Sequence, residues 1–296
     1  MDLTRKQFDI LVQSEKGGAE EKTQRELAKE AGISLGSVNR ILNQMEEAGW
    51  IRKNQITDRG REILEPYRVK RAVLLAAGFG ERLVPVTLNT PKSLVRVRGV
   101  RMIDTLLDAL LEVGIEDITI VRGYLGEQFD QLLYKYPGIR FIENPIYNES
   151  KNISSAMCAR FLLAGAYVME ADLVLYNKKL ITKYQYTTNY LGVPTDKTDD
   201  WCFEVKNRVI TRMKIGGTDC FHTFGISYWS EADGARMAEH IKEVYEMPGG
   251  KERYWDQVAL EYFARDYRIE VRECTFDDIA EVDSYSDLKR IDNTYC

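Results

Sequence analysis

Apolar positions along the chain keep two different rhythms, and the change falls near residue 66. In "TQRELAKEAGISLGSVNRILNQMEEAGWI", Leu27, Ala28, Ala31, Ile33, Val38, Ile41, Leu42 and Met45 recur at helical spacing. Gly32 punctuates one helix, Ser34 stands where the next needs an N-cap, and Gly49 closes it. Two helices across so short a turn make a helix-turn-helix pattern. Trp50 to Ile56 predicts a short hairpin and "TDRGREIL" a further helix. "EPYRVK" then breaks the period, because Pro66 disfavours helix at Glu65. The boundary is expected near Tyr67, giving domains at 1–67 and 68–296.

From Lys70 strands and helices alternate. "RAVLLAA" predicts a buried strand, "MIDTLLDALLEVG" an amphipathic helix and "DITIV" a strand. "GEQFDQLLYKY" predicts a helix, "IRFIEN" a strand, "NISSAMCARFLLAG" a helix and "AYVMEAD" a strand. Such alternation predicts an α/β fold whose parallel sheet is covered on both faces. Four strand-like pieces follow, "YQYTTNYLGV", "WCFEVKN", "VITRMKI" and "CFHTFGISYW", which predict antiparallel additions to that sheet.

Composition narrows the chemistry. The 296 residues are 44% hydrophobic and 29% charged, ordinary for a soluble globular protein. No apolar run approaches the roughly 20 residues that span a bilayer. The start, "MDLTRKQFDI", lacks a signal-peptide pattern, so a cytoplasmic location is expected. Five scattered cysteines without a CxxC pair are expected to be reduced thiols. With only His222 and His240, a histidine-rich metal site or a Ser-His-Asp triad has little to draw on. Residues 1–67 carry 11 Lys/Arg and 12 Asp/Glu, a net charge of −1. Ser34, Ser37, Asn39, Arg40, Asn43 and Gln44 on the second helix can read bases or phosphates, but the module lacks the basic face that drives DNA affinity. DNA contact and a dimerising or sensing role both stay open.

One stretch carries specific chemistry: "LLAAGFGERLVPVTLNTPKSLV", Leu74 to Val95. A P-loop would need four residues between its glycines, and a dinucleotide fingerprint a third small residue where Leu83 stands. After a parallel strand, Gly78 and Gly80 let backbone N–H groups approach an anion, while Arg82 offers a planar fork and Lys92 a compact charge.

The stretch closely resembles the LAAGxGxRLxPxTxxxPKxLV signature of nucleotidyltransferases that join a nucleoside triphosphate to a phosphate-bearing small molecule. The first 65 or so residues resemble winged helix-turn-helix domains of bacterial repressors. The first resemblance implies a Rossmann-like nucleotidyltransferase fold with a mixed, mainly parallel sheet. It also implies in-line attack by the acceptor on the α-phosphorus of the nucleotide, with release of pyrophosphate. Ala76, Ala77, Gly78 and Gly80 would lie over the triphosphate, and Arg82 and Lys92 would be the catalytic cations. By the same likeness Gly123 and Tyr124 would line the base, and Asn152 and Ser154 would approach base, sugar or α-phosphate, although Ser154 suits a helix start equally well.

Such a transfer gathers negative charge, which a Mg²⁺ held by a few carboxylates relieves. Asp172 after "AYVME" and Asp283 in "IAEVDS" match the family's two metal aspartates, with Glu170 and Glu281 the next candidates. For the acceptor, aromatics stand beside acids: Asp200 and Trp201, then Tyr254, Trp255 and Asp256, a composition suited to an ammonium group. The order of "TDDW", "GISYW", "YWDQV" and "EVDS" is similar to that in bacterial CTP:phosphocholine cytidylyltransferases, implying CTP, phosphocholine and Mg²⁺. Those relatives carry an aromatic three residues before the second metal aspartate, where this chain has Ala280. A smaller cage would suit 2-aminoethylphosphonate or phosphoethanolamine, and a sugar 1-phosphate is the rival acceptor. A regulator that merely senses nucleotide is a further alternative, as is a homodimer formed through residues 1–66.

Overall fold

The computed structural model describes residues 3–16 and 23–296. The chain divides into two units, Met1–Arg68 with Tyr184–Tyr186, and Val69–Lys183 with Thr187–Cys296. The first holds α1 (Arg5–Lys16), α2 (Gln24–Ala31), α3 (Leu35–Glu47), a hairpin of β1 (Ile51–Arg52) and β2 (Gln55–Ile56), and α4 (Asp58–Leu64). Thr23 and Glu26 cap the start of α2 reciprocally, and Gly32, at φ 64°, takes the left-handed turn that ends it. Ser34 caps α3 by accepting from the Ser37 amide. Helix α3 buries Val38, Ile41, Leu42 and Met45, which leaves Asn39, Arg40, Asn43 and Gln44 exposed along the opposite face. The unit's core also takes residues distant in sequence. Tyr186 stacks on Tyr67 at 5.6 Å and meets Phe8 at 5.3 Å, and its hydroxyl donates to the Leu3 carbonyl. The stretch "YQY" is therefore not the start of a sheet strand.

The second unit begins with β3 (Arg71–Ala76), a small hairpin of β4 (Arg96–Val97) and β5 (Val100–Arg101), α5 (Met102–Glu112), β6 (Ile118–Arg122) and β7 (Arg140–Glu143). It continues through α6 (Ile153–Ala159), β8 (Ala166–Glu170), β9 (Leu173–Leu175), β10 (Asn189–Lys206), β11 (Val209–Trp229) and α7 (Glu231–Glu246). It ends with α8 (Trp255–Gln257), β12 (Glu270–Glu273), β13 (Ile279–Glu281) and α9 (Tyr285–Ile291). The main sheet runs β10-β12-β11-β8-β3-β6-β7, with β8, β3, β6 and β7 parallel and β11 antiparallel to β8. Strand β3 shows why the apolar run is unbroken. Ala72, Leu74 and Ala76 enter the core on one face, Val73 and Leu75 that on the other.

Two predicted helices are tighter than expected. Gly126–Tyr134 is a 3-10 segment, whose buried residues Gly126, Phe129 and Leu132 recur every third position and so share one side of a three-residue turn. The helix after Asn152 is α only to Ala159 and tightens over Arg160–Leu162. From Asn189 onward the four strand-like pieces belong to β10 and β11. Bulges between Thr198 and Trp201 split β10, and Cys202 and Phe203 pair with both Lys214–Met213 and His222–Phe221. Among the described residues no helix is long and apolar enough to cross a membrane.

Candidate active site

The carboxyl ends of β3 and β8 open into one cavity of about 960 Å³, at the upper end for small-molecule sites. On one wall lies the loop after β3. Gly80 has φ 73°, and a Cβ there would stand 3.0 Å from that of Lys92, so the turn needs glycine both for its conformation and for the lysine beside it. Thr87 closes the loop by donating its hydroxyl to the Gly80 carbonyl at 2.9 Å. Leu83 is fully buried with Val95, Val97, Met102 and Val282, and thus anchors the loop rather than facing a ligand. Phe79 meets Tyr124 edge-on at 4.4 Å, and Tyr147 lies 6.4 Å beyond, an aromatic wall suited to a base.

The acidic wall is built by a strand pair. Strands β9 and β13 run antiparallel with Leu173 opposite Glu281, and the Val282 amide donates to the Asp172 carbonyl at 3.1 Å. Residues 111 positions apart in sequence are thereby set side by side as Asp172 and Asp283. Strand alternation places Glu170 and Glu281 in the same cavity. Gly225 on β11 leaves the space that Glu170 needs, since a Cβ there would lie 2.6 Å from the glutamate's Cγ. Between the aspartates sits the Lys92 ammonium, 2.7 Å from Asp172 Oδ2 and 2.8 Å from Asp283 Oδ1, and Arg82 reaches Asp283 Oδ2 at 3.0 Å. Burial pulls the Lys92 pKa down, but the two carboxylates outweigh it and hold it above the ordinary lysine value. Burial, and then the neighbouring Asp172, push Glu170 and Glu281 well above the usual carboxylate range.

These residues fit a hard divalent cation. Carboxylate oxygens of Glu170, Asp172 and Glu281 lie within 4.8 Å of one another, as do those of Asp200, Glu281 and Asp283. Asp172 Oδ1 is buried with no hydrogen-bond partner among the described residues, an oxygen that a ligated ion would satisfy. An all-oxygen donor set suits Mg²⁺. When bound, such an ion neutralises phosphate charge and polarises the phosphoryl group.

In the same cavity Trp201 and Tyr254 lie edge to face at 5.9 Å. Asp256 lines the cavity beside them and accepts a 2.6 Å hydrogen bond from the Tyr190 hydroxyl. Asp200 accepts from the Trp201 amide at 2.7 Å.

The MobA-like NTP transferase domain family matches residues 72–188, and the MarR family matches residues 1–62. A 2-aminoethylphosphonate cytidylyltransferase of Lancefieldella rimae is 35% identical over 228 residues, 76% of this chain and 92% of that protein. The choline-phosphate cytidylyltransferase of Streptococcus pneumoniae is 31% identical over 228 residues, 75% of this chain and 96% of that protein. The solved structure of a CTP:phosphocholine cytidylyltransferase from Streptococcus pneumoniae, 31% identical, matches 77% of this chain with 100% of its own at a TM-score of 0.71. The chain belongs to the cytidylyltransferase family of nucleotidyltransferases. Its first unit is a MarR-type winged helix-turn-helix.

In this cytidylyltransferase Ala76, Gly78, Gly80, Arg82, Lys92, Tyr124, Asn152, Asp172, Asp200, Trp201, Tyr254, Asp256 and Asp283 all line the cavity. Four expected residues do not. Trp255 is fully buried, stacked on Tyr190 at 6.2 Å and edge-on to Trp229 at 5.7 Å, because the short helix α8 turns it into the core while its neighbours Tyr254 and Asp256 line the cavity. Ser154 is buried in the first turn of α6 and already bonded to the Lys151 carbonyl and the Asn144 amide. Gly123 packs under the Tyr147 ring, where a Cβ would meet it at 2.7 Å. Ala77 is buried and accepts from the Tyr124 amide. The Asn152 side chain spans two partners, donating to Glu170 at 2.7 Å and accepting from the Trp255 amide at 3.0 Å, so it orients the acidic wall and α8. Sequence reading missed Tyr147, Tyr190, Phe203 and Met213, which also line the cavity. They carry no motif, and only the folding of β10 and β11 over the sheet brings the last three there.

Proposed function

We propose that the enzyme transfers the cytidylyl group of CTP to a small acceptor that carries a phosphonate or phosphate at one end and a primary ammonium at the other, 2-aminoethylphosphonate being the best fit. An acceptor oxygen forms the new bond to the α-phosphorus, the bond from that phosphorus to the bridging oxygen breaks, and pyrophosphate leaves. Arg82 and Lys92 balance charge on the phosphates, Phe79, Tyr124 and Tyr147 flank the base, and Asp172 and Asp283 with Glu170 and Glu281 would hold Mg²⁺.

One observation carries the choice of acceptor. The acceptor would meet two aromatic walls, Trp201 and Tyr254, and the acid Asp256, with Asp200 standing between them and the acidic wall, while Trp255 is sealed in the core and Ala280 stands where relatives of the choline type have an aromatic. A trimethylammonium group donates no ordinary hydrogen bond and needs aromatic faces around it. A primary ammonium has three donors, and carboxylates satisfy them. The test is pyrophosphate release with CTP and 2-aminoethylphosphonate, phosphoethanolamine, phosphocholine or glucose 1-phosphate. The aminophosphonate should exceed phosphocholine in kcat/KM by about tenfold or more, 1.4 kcal/mol of preferential binding. Phosphocholine at or above the aminophosphonate would overturn the choice, and activity with the sugar phosphate alone would overturn the ammonium reading.

The exposed polar face of α3 supports DNA contact by the first unit. Its test is fluorescence anisotropy with duplex DNA over a salt series. Because residues 1–67 carry a net −1, weak non-specific binding is expected, and no binding at any salt would exclude the contact.

A further inference from the structure

Lys92 does not sit as the reaction requires. A cation that balances phosphate charge should face the nucleotide, yet its ammonium is held between the two aspartates that suit the metal, at 2.7 and 2.8 Å, with the side chain 14% exposed. The ammonium and a divalent ion would draw on the same two carboxylates, and their positive charges would repel at that distance. We propose that Lys92 is a built-in counter-ion that fills the cation seat between Asp172 and Asp283 in the empty enzyme, and that the triphosphate opens this seat by drawing the ammonium away.

Three features support the exchange. Four acidic side chains, Glu170, Asp172, Glu281 and Asp283, converge around one seat, and acids so confined favour a compensating cation. The base of the Lys92 side chain is fixed against Gly80 and in a 3-10 turn after Pro91, whereas its four-carbon stem lets the ammonium shift by several ångströms around that anchor. Gly80 belongs to the loop that would lie over the triphosphate, so phosphate oxygens would arrive beside the ammonium and replace the carboxylates as its acceptors. Nucleotide and metal then enter cooperatively, because each removes the obstacle to the other. The enzyme without nucleotide has little affinity for free divalent metal.

The test needs no acceptor, so it stands or falls apart from the choice made above. Full-length, metal-stripped protein is titrated with Mn²⁺ in the absence of nucleotide, with free Mn²⁺ read by electron paramagnetic resonance. Lys92→Met should bind Mn²⁺ at least about tenfold more tightly than the wild type, because the competing ammonium is gone. Lys92→Arg, still cationic, should stay near the wild type. Adding Asp172→Asn to Lys92→Met should abolish the gain. A folded Lys92→Met that binds Mn²⁺ no more tightly than the wild type would overturn the proposal. A second readout avoids substitution altogether. The Lys92 ammonium resonance, protected from exchange by its two carboxylates, should shift or vanish when Mg²⁺ and CTP are added together. An unchanged resonance under saturating nucleotide would equally overturn it.

Discussion

The Tyr190 hydroxyl donates to the Asp256 carboxylate at 2.6 Å, which ties the first strand of the long hairpin to the short helix α8 at the cavity wall. Burial raises the Asp256 carboxyl from 3.8 to about 6, and the Tyr190 hydrogen bond works against that rise by favouring the ionised form. The signs for activity and stability are opposite. An ammonium acceptor needs the ionised carboxylate, so its KM should fall as pH rises through about 6. The folded protein holds this proton more tightly than the unfolded chain, so the group's contribution to stability declines between pH 3.8 and about 6. Tyr190→Phe should move the KM midpoint upward by roughly one unit, since one hydrogen bond of about 1 kcal/mol is lost. A midpoint that stayed in place would detach Asp256 from acceptor binding.

Trp201 lines the cavity, whereas Trp255 is packed in the core. Trp201→Leu keeps an apolar wall but deletes the π-face, so the acceptor's KM should rise roughly 2- to 30-fold, for a loss of about 0.5–2 kcal/mol, with little change in the KM for CTP. Trp255→Ala should instead lower stability by about 3–5 kcal/mol, because it empties a space between Tyr190 and Trp229. Thermal unfolding beside steady-state kinetics distinguishes the two effects. Unchanged acceptor kinetics in Trp201→Leu would remove the tryptophan from the acceptor end.

Asp172→Asn and Asp283→Asn should each lower turnover by about tenfold or more while the fold persists, since each replaces one carboxylate oxygen of the acidic wall by an amide nitrogen that cannot ligate a cation. Circular dichroism and pyrophosphate release measure the two halves of this prediction. Normal turnover in both variants would reassign the metal to Glu170 and Glu281.

A chain beginning at Val69 should keep transferase activity, because every residue lining the cavity lies in the second unit. It should also be less soluble, since Tyr184 and Tyr186 belong to the core of the first unit and would lose Phe8 and Tyr67. Tyr184→Ser with Tyr186→Ser should restore solubility, as followed by light scattering. A folded but inactive truncation would show that the first unit is needed for catalysis.

Local rules were enough for much of this molecule. The unbroken run "RAVLLAA" specified a strand buried on both faces, and the helical period with Gly32 and Ser34 specified the bounds of the helices in the first unit. The glycines, Arg82 and Lys92 are legible because a phosphate loop needs those residue types within a few positions of one another. What lay beyond sequence was set by contacts between distant segments. The pairing of β9 with β13 fixes how Asp172 and Asp283 meet, and only their convergence shows that Lys92 stands between them. The direction in which Trp255 points depends on a three-residue helix, too short for periodicity to report which side faces the core. Tyr186 joins an assembly formed by residues more than a hundred positions away, and no local pattern records that partnership. Sequence spacing encodes neighbours along a helix or strand, whereas opposed charges and sealed aromatics are properties of surfaces that exist only once the chain has folded.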